Sequence, residues 1–204
     1  MNGSPCGRRL WLVRHARALG AEGRCYGRTD LAADRAETGR AAQALAVALP
    51  PGARLQVSPA ARTQALAQAL QALRPDLRAT TDPRLQELNF GCWEGMLWDA
   101  ISRADLDAWV ADFATHRPGG GESVADLLTR VAPALAHADA DTRSPGGGDA
   151  VWITHAGVIR AALWLRCHGP TELPRAGNWP ALTPGWGRWI ALPVPATPFV
   201  GLQG

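Results

Sequence analysis

Arg8-Arg9-Leu10-Trp11-Leu12-Val13-Arg14-His15 is the stretch on which the reading of this chain turns. Four consecutive apolar side chains between arginines suit a short strand covered on both faces, as in a parallel sheet. Leu55 to Val57 and Ala150 to Thr154 read the same way. Between these strands lie helical segments. Ala41 to Leu49 is rich in Ala and Leu, and Ser58-Pro59 reads as an N-cap and first-turn proline before Leu66, Leu70 and Leu73. A later helix opens at Ser123, with Asp126 completing a capping box, and carries Val124, Leu127, Leu128, Val131 and Leu135 on one stripe before the loop Ser144-Pro145-Gly146-Gly147-Gly148. Leu182 to Leu192 offers a last strand with Trp186 and Trp189, and the Pro-rich end from Pro193 reads as irregular. Strands alternating with helices predict an α/β fold: one domain over residues 1–204, a three-layer sandwich with a mostly parallel central sheet flanked by helices.

Composition narrows the chemistry. All 21 basic residues among the 204 are arginines, so Schiff-base chemistry and the lysine-dependent phosphate loops are excluded. The formal charge is only +3 and the arginines are scattered, which argues against a nucleic-acid partner and fits a small anionic substrate. No apolar run approaches the roughly 18 residues of a membrane span, and the opening MNGSPCGRRLWLV has too short an apolar core for a signal peptide, so no membrane partner and a cytoplasmic location are expected. Cys6, Cys25, Cys92 and Cys167 form no CxxC pair and read as packing residues. None is followed six positions later by the arginine of a cysteine phosphatase, since those positions hold Leu12, Leu31, Trp98 and Leu173.

In open α/β sheets ligands sit beyond the carboxyl ends of the strands. The residues there are Arg14-His15, Ser58 to Arg62 and Thr154-His155, which bring two histidines and two arginines to one edge. A phosphate monoester carries about two negative charges at neutral pH, and arginine offers a permanently charged planar fork that contacts two oxygens at once. No carboxylate cluster suited to magnesium is present, so neither a metal nor a cofactor is expected.

Five blocks in order carry a resemblance: LVRHARA (12–18), VSPAARTQALAQAL (57–70), LQELNFGCWEG (85–95), GGGES (119–123) and ITHAGVIRA (153–161). From about Leu10 to Leu165 the chain resembles the histidine phosphatase superfamily, which also contains the cofactor-dependent phosphoglycerate mutases. CYGRTD (25–30) and ELNFGCWEG look most similar to α-ribazole phosphatases and related small-molecule phosphatases. The resemblance makes His15 the nucleophile that becomes phosphorylated and His155 the donor to the transferring group. Glu87 would protonate the leaving group and then activate water. Arg14 and Arg62 would bind the phosphoryl oxygens, and Arg28, in a glycine-containing loop, would bind substrate. Ser58 is expected to cap its helix, Arg17 to face solvent, and His116, His137 and His168 to be structural or exposed. Three positions depart from the family pattern, with Ala16, Ala18 and Ala156 standing where glycine or a polar residue is usual. DLAADRAETG (30–39) is also longer than usual.

The implied activity is a metal-independent phosphomonoesterase acting through a phosphohistidine on a small phosphorylated metabolite, with inorganic phosphate as product and α-ribazole phosphate as a candidate substrate. Two alternatives stand beside it: a mutase that returns the phosphoryl group to a second hydroxyl, and a silent module that only binds a phosphorylated ligand. Trp93, Trp98 and Trp109 come after Glu87, where a lid would form, either to stack on a substrate ring or to fill core.

Overall fold

Along β1 (Arg9–Arg14) side chains alternate, so that Leu10 and Leu12 join one apolar cluster while Trp11 and Val13 join another on the opposite face. That double burial explains the unbroken apolar run. The computed structural model describes residues 7–195. Its remaining elements are α1 (Arg35–Ala48), β2 (Arg54–Val57), α2 (Ala61–Leu73), β3 (Arg78–Thr81), α3 (Arg103–Ala111), α4 (Val124–Arg143), β4 (Ala150–Thr154), α5 (Ala156–His168) and β5 (Trp189–Pro193). The five-stranded sheet runs β3-β2-β4-β1-β5, parallel except for β5, which pairs antiparallel with β1. Helices α1 and α2 cover one face through Leu45, Leu66 and Leu70, and α4 and α5 cover the other through Leu128, Val131, Ile159 and Trp164. The expected three-layer α/β architecture is therefore present.

Several boundaries differ from the sequence reading. Helix α1 begins at Arg35, one turn and more before the Ala/Leu-rich stretch, because Asp34 accepts a hydrogen bond from the Glu37 amide and caps a polar first turn. Helix α2 begins at Ala61, beyond Ser58-Pro59, and Ala60 at its N-cap makes no side-chain cap bond; Ser58 is not a helix cap. The last strand is only Trp189–Pro193, and Pro193, expected to be irregular, pairs with Arg9 on an edge strand where its missing N–H costs little. Residues 196–204 of the Pro-rich end lie outside the described residues. β3 (RATT) has no apolar run and was not expected, since it is an edge strand with mostly exposed side chains. The capping box at Ser123 and Asp126 is present, and all five stripe residues of α4 are buried.

Of the cysteines, Cys25 alone packs as expected; Cys92 and Cys167 are exposed, and Cys6 lies outside the described residues. Burial pushes the Cys25 thiol up to about 12, helped by the nearby Glu94 charge, which leaves it inert as a nucleophile. Among the described residues no helix is long and apolar enough to cross a membrane.

Candidate active site

The parallel strands β1, β2 and β4 end at the same edge, and backbone bonds lock their exits together: His15 N–H donates to Thr154 O (3.1 Å) and Ser58 N–H to Ile153 O (3.0 Å). His15 and His155 are thereby held face to edge, with ring centroids 5.1 Å apart. A cleft of about 250 Å³ opens over His15, lined by Arg14, His15, Arg62 and Glu87 at its inner end, with His155 buried behind His15.

Both histidines are buried and oriented. His15 Nδ1 lies 2.6 Å from Ala16 O, so it carries the proton and donates it, which leaves the lone pair on Nε2. Burial, reinforced by the charges of Arg62 and Arg14, lowers the His15 pKa to about 3, so the ring is neutral at physiological pH. His155 is fully buried and pushed well below the ordinary histidine range by the same burial and the same arginines. Its Nε2 is 2.8 Å from Ser58 Oγ, while Nδ1 has no partner among the described residues. Ser58 thus orients a histidine.

The two arginines arrive with their forks already constrained. Arg62 is fully buried and donates from Nη1 to Thr29 O (2.9 Å) and from Nη2 to Gly27 O (2.5 Å), and its Cζ lies 5.5 Å from the Tyr26 ring centroid. Arg14 Cζ lies 5.4 Å from the Trp186 ring centroid. The Nε atoms of both are buried with no partner among the described residues. Glu87 is fixed by two amides, Leu88 N–H to Oε1 and Gly157 N–H to Oε2, each 3.0 Å. A Cβ at Gly157 would stand 2.3 Å from Glu87 Oε1, so any larger residue there would displace the carboxylate. Ala156, by contrast, opens α5 with negative φ, so its extra methyl is accommodated at the cleft wall.

Arg28 is placed apart from this group. Its guanidinium is within 3.7 Å of Glu122 and lines a smaller neighbouring pocket, which Glu87 also borders. Arg17 does not simply face solvent: it is about one-third exposed and pairs with Glu22, Asp34 and Glu37, pinning the long 30–39 segment. His137 and His168 are exposed, each beside an acid one turn away, and His116 is half-buried. Trp98 and Trp109 line the cleft, whereas Trp93 packs beneath it with Cys25 and Ile101.

Sequence reasoning missed Glu94, Tyr26 and Arg160. Glu94 accepts backbone N–H bonds from Gly27, Arg28, Thr29 and Phe90 and the Thr29 hydroxyl proton, so it organises the loop that holds Arg62. Its place inside the block LQELNFGCWEG was the one signal that could have found it. Tyr26 and Arg160 line the cleft, and their only local signal was a place inside the blocks CYGRTD and ITHAGVIRA. Among the described residues no group of three or more His, Cys, Asp and Glu is placed to hold a metal ion.

An α/β sheet whose strand ends present neutral, oriented histidines between arginines is suited to a phosphate-like anion. The chain belongs to the histidine phosphatase superfamily (branch 1), whose sequence profile matches residues 10–181. Glucosyl-3-phosphoglycerate phosphatase of Mycobacterium tuberculosis is 38% identical over 117 residues, 53% of this chain and 50% of that protein. The chain thus spans about half the length of the curated relatives it matches. A mycobacterial hydrolase superposes with a TM-score of 0.75 at 28% identity, covering 94% of this chain and 93% of the other. Mycobacterial glucosyl-3-phosphoglycerate phosphatase complexed with VO3 gives 0.72 at 31% identity, covering 90% and 92%.

Proposed function

We propose that the protein is a metal-independent phosphomonoesterase that acts on a small phosphorylated metabolite through a phosphohistidine at His15. The observation that carries this reading is the His15 ring itself: Nδ1 is committed to Ala16 O, the ring is held neutral, and Arg14, Arg62 and His155 surround it. In the first step His15 Nε2 attacks phosphorus as the bond to the leaving oxygen breaks, and Glu87 gives that oxygen its proton. In the second, water attacks the phosphohistidine while Glu87 takes its proton, the P–N bond breaks and inorganic phosphate leaves. Arg14, Arg62 and an Nδ1–H of His155 stabilise the equatorial oxygens in both steps, as a metal would elsewhere. The arginine and histidine atoms without protein partners are suited to that role. The VO3 bound by a related phosphatase is an anion of the kind this pocket would accept.

Arg28 we assign to the substrate only at the margin, through the pocket it shares with Glu87. Two phosphoesters are candidate substrates: α-ribazole phosphate, from the family resemblance of the CYGRTD and ELNFGCWEG blocks, and a glucosylated phosphoglycerate, from the name of the relatives. Either would be a cytoplasmic metabolite, with no nucleic acid or membrane as partner. Phosphate release from p-nitrophenyl phosphate in excess chelator tests the reading, and full activity is expected. Loss of activity that magnesium restores would refute it, and transfer to a second hydroxyl without free phosphate would make the protein a mutase.

A further inference from the structure

Helix α5 does more than carry His155 at its N-cap. Arg160 follows Gly157 by three residues and Ala156 by four, so it shares a face with each, and all three line the cleft. Gly157 holds the Glu87 carboxylate, which marks the leaving-group side because its proton goes to the leaving oxygen. Arg160 lies three residues, about 4.5 Å of helix rise, further along that face. The other arginines of the cleft each bond a carbonyl: Arg14 to Pro184 O, Arg24 to Gly95 O and Arg62 to two loop carbonyls. No hydrogen bond or ion pair satisfies Arg160 among the described residues, and its Nε is buried without a partner. Its charge is close enough to depress the ionisation of Arg14. Glu87 is the only acid among the described residues lining the cleft; its oxygens accept the Leu88 and Gly157 amides, and no ion pair joins it to Arg160.

Arg14 and Arg62 already meet the roughly two charges of a phosphate monoester. Of the two other arginines lining the cleft, Arg24 bonds Gly95 O. Arg160, on the leaving-group side with Phe90, Trp98, Trp109 and Phe113 in the same wall, is surplus to the transferring group and is strengthened by the low local dielectric. A neutral or cationic leaving group would leave this half-buried charge, with its buried Nε, unpaired, which is costly.

We propose that Arg160 is a specificity-determining residue that binds a carboxylate on the leaving group, so that the preferred substrates are phosphate monoesters of hydroxy acids. This rests on the phosphatase reading and favours a phosphoglycerate type of substrate over α-ribazole phosphate.

The test uses a matched pair, 3-phosphoglycerate and glycerol 3-phosphate, which differ in a carboxylate against a hydroxymethyl group. Wild-type kcat/KM should favour the acid by about 10- to 100-fold, the worth of a charge-assisted hydrogen-bonded pair. In Arg160→Met that ratio should collapse towards one, and Arg160→Lys should keep part of it. A wild-type protein that hydrolyses p-nitrophenyl phosphate but shows no preference within the pair would overturn the proposal alone. So would an Arg160→Met variant that loses activity on both members equally, since Arg160 would then serve the transferring phosphate. Should Arg160→Met fail to fold, the wild-type ratio and Arg160→Lys decide. No release from p-nitrophenyl phosphate would defeat the phosphatase reading and this proposal together.

Discussion

At the inner end of the cleft His15 and His155 leave the carboxyl ends of β1 and β4 directly, and Arg62 lies in the first turn of the helix after β2. At the outer end Arg24, Tyr26, Phe90 and Trp98 come from loops and short helical turns between the sheet elements. The inner groups are fixed by sheet hydrogen bonds and by helices buried on both sides. The outer loops depend on one half-buried hub, Glu94, which ties the 27–29 loop to the turn at Phe90 and, through the Gly27 and Thr29 carbonyls, also steadies Arg62. On the proposed reading, the parallel sheet would serve the part of the reaction that is the same for every phosphate ester. On the same reading the loops, together with Arg160 of α5, would fit one leaving group.

If the inner end does the chemistry in two steps, its residues can be separated by which step they stop. His15→Ala should lower turnover by more than about 10⁴-fold, because no other group supplies the attacking lone pair. Glu87→Gln keeps the shape and removes the transferable proton, so turnover should fall by about 10² to 10⁴. Rapid-quench labelling with a phosphoryl donor whose leaving group needs no proton should still trap acid-labile phosphohistidine in Glu87→Gln and none in His15→Ala. Histidine labelling that survives in His15→Ala would move the nucleophile to His155 and break the contrast at its inner end.

The outer end should yield first to loss of its hub. In Glu94 burial opposes ionisation, but the Gly27 amide, the Thr29 hydroxyl and the Phe90 and Arg28 amides outweigh it and lower the pKa. Its folded pKa lies below the unfolded value, so this stabilisation is complete above pH 4.5 and is lost as pH falls through the folded value. Glu94→Gln turns an amide N–H₂ towards backbone donors and should cost about 1–3 kcal/mol of unfolding free energy near neutral pH. The acid-sensitive part of the stability profile should shrink with it. Denaturant melts at pH 7 and pH 4 measure both. A variant as stable as wild type at both pH values would show that the loop is held by something other than this carboxylate.

The inner end was legible in the sequence because buried parallel strands announce themselves as apolar runs, and the residues directly after each run form the site. Arg14, His15, Arg62 and His155 could be placed from that rule alone, and Glu87 only from the family resemblance, since it sits in an irregular stretch with no periodicity. Glu94 and Arg160 lay inside blocks that carry the resemblance but were not singled out, for a different reason. Each looks like an ordinary surface charge until the chain folds, when one is enclosed by amides more than sixty residues away in sequence and the other turns inward from a helix. The polar edge strand β3 escaped because edge strands need no apolar alternation, and α1 was read late because a cap such as Asp34 and a charged first turn carry no hydrophobic signal.

Ser58 is the finest test of the contrast, because it looked like a helix cap and sits instead on the inner end's second histidine. The Ala60 N–H reaches the Ser58 oxygen at 3.5 Å, which leaves the hydroxyl proton to donate to His155 Nε2 at 2.8 Å. A neutral His155 accepting at Nε2 must carry its proton on Nδ1, the nitrogen without a protein partner and the one needed to donate to the phosphoryl group. Ser58→Ala removes the hydrogen bond that selects this tautomer while leaving both arginines and His15 in place. Turnover should fall by about 3- to 10-fold, the worth of one neutral hydrogen bond, with little change in stability because no helix loses its cap. Long-range proton–nitrogen NMR should show His155 shifting from the Nδ1–H form towards a mixture. If the tautomer is unchanged and turnover still drops, Ser58 acts on the phosphate directly. A fall in stability of the size expected for a lost N-cap, about 1 kcal/mol, would instead restore the role the sequence suggested.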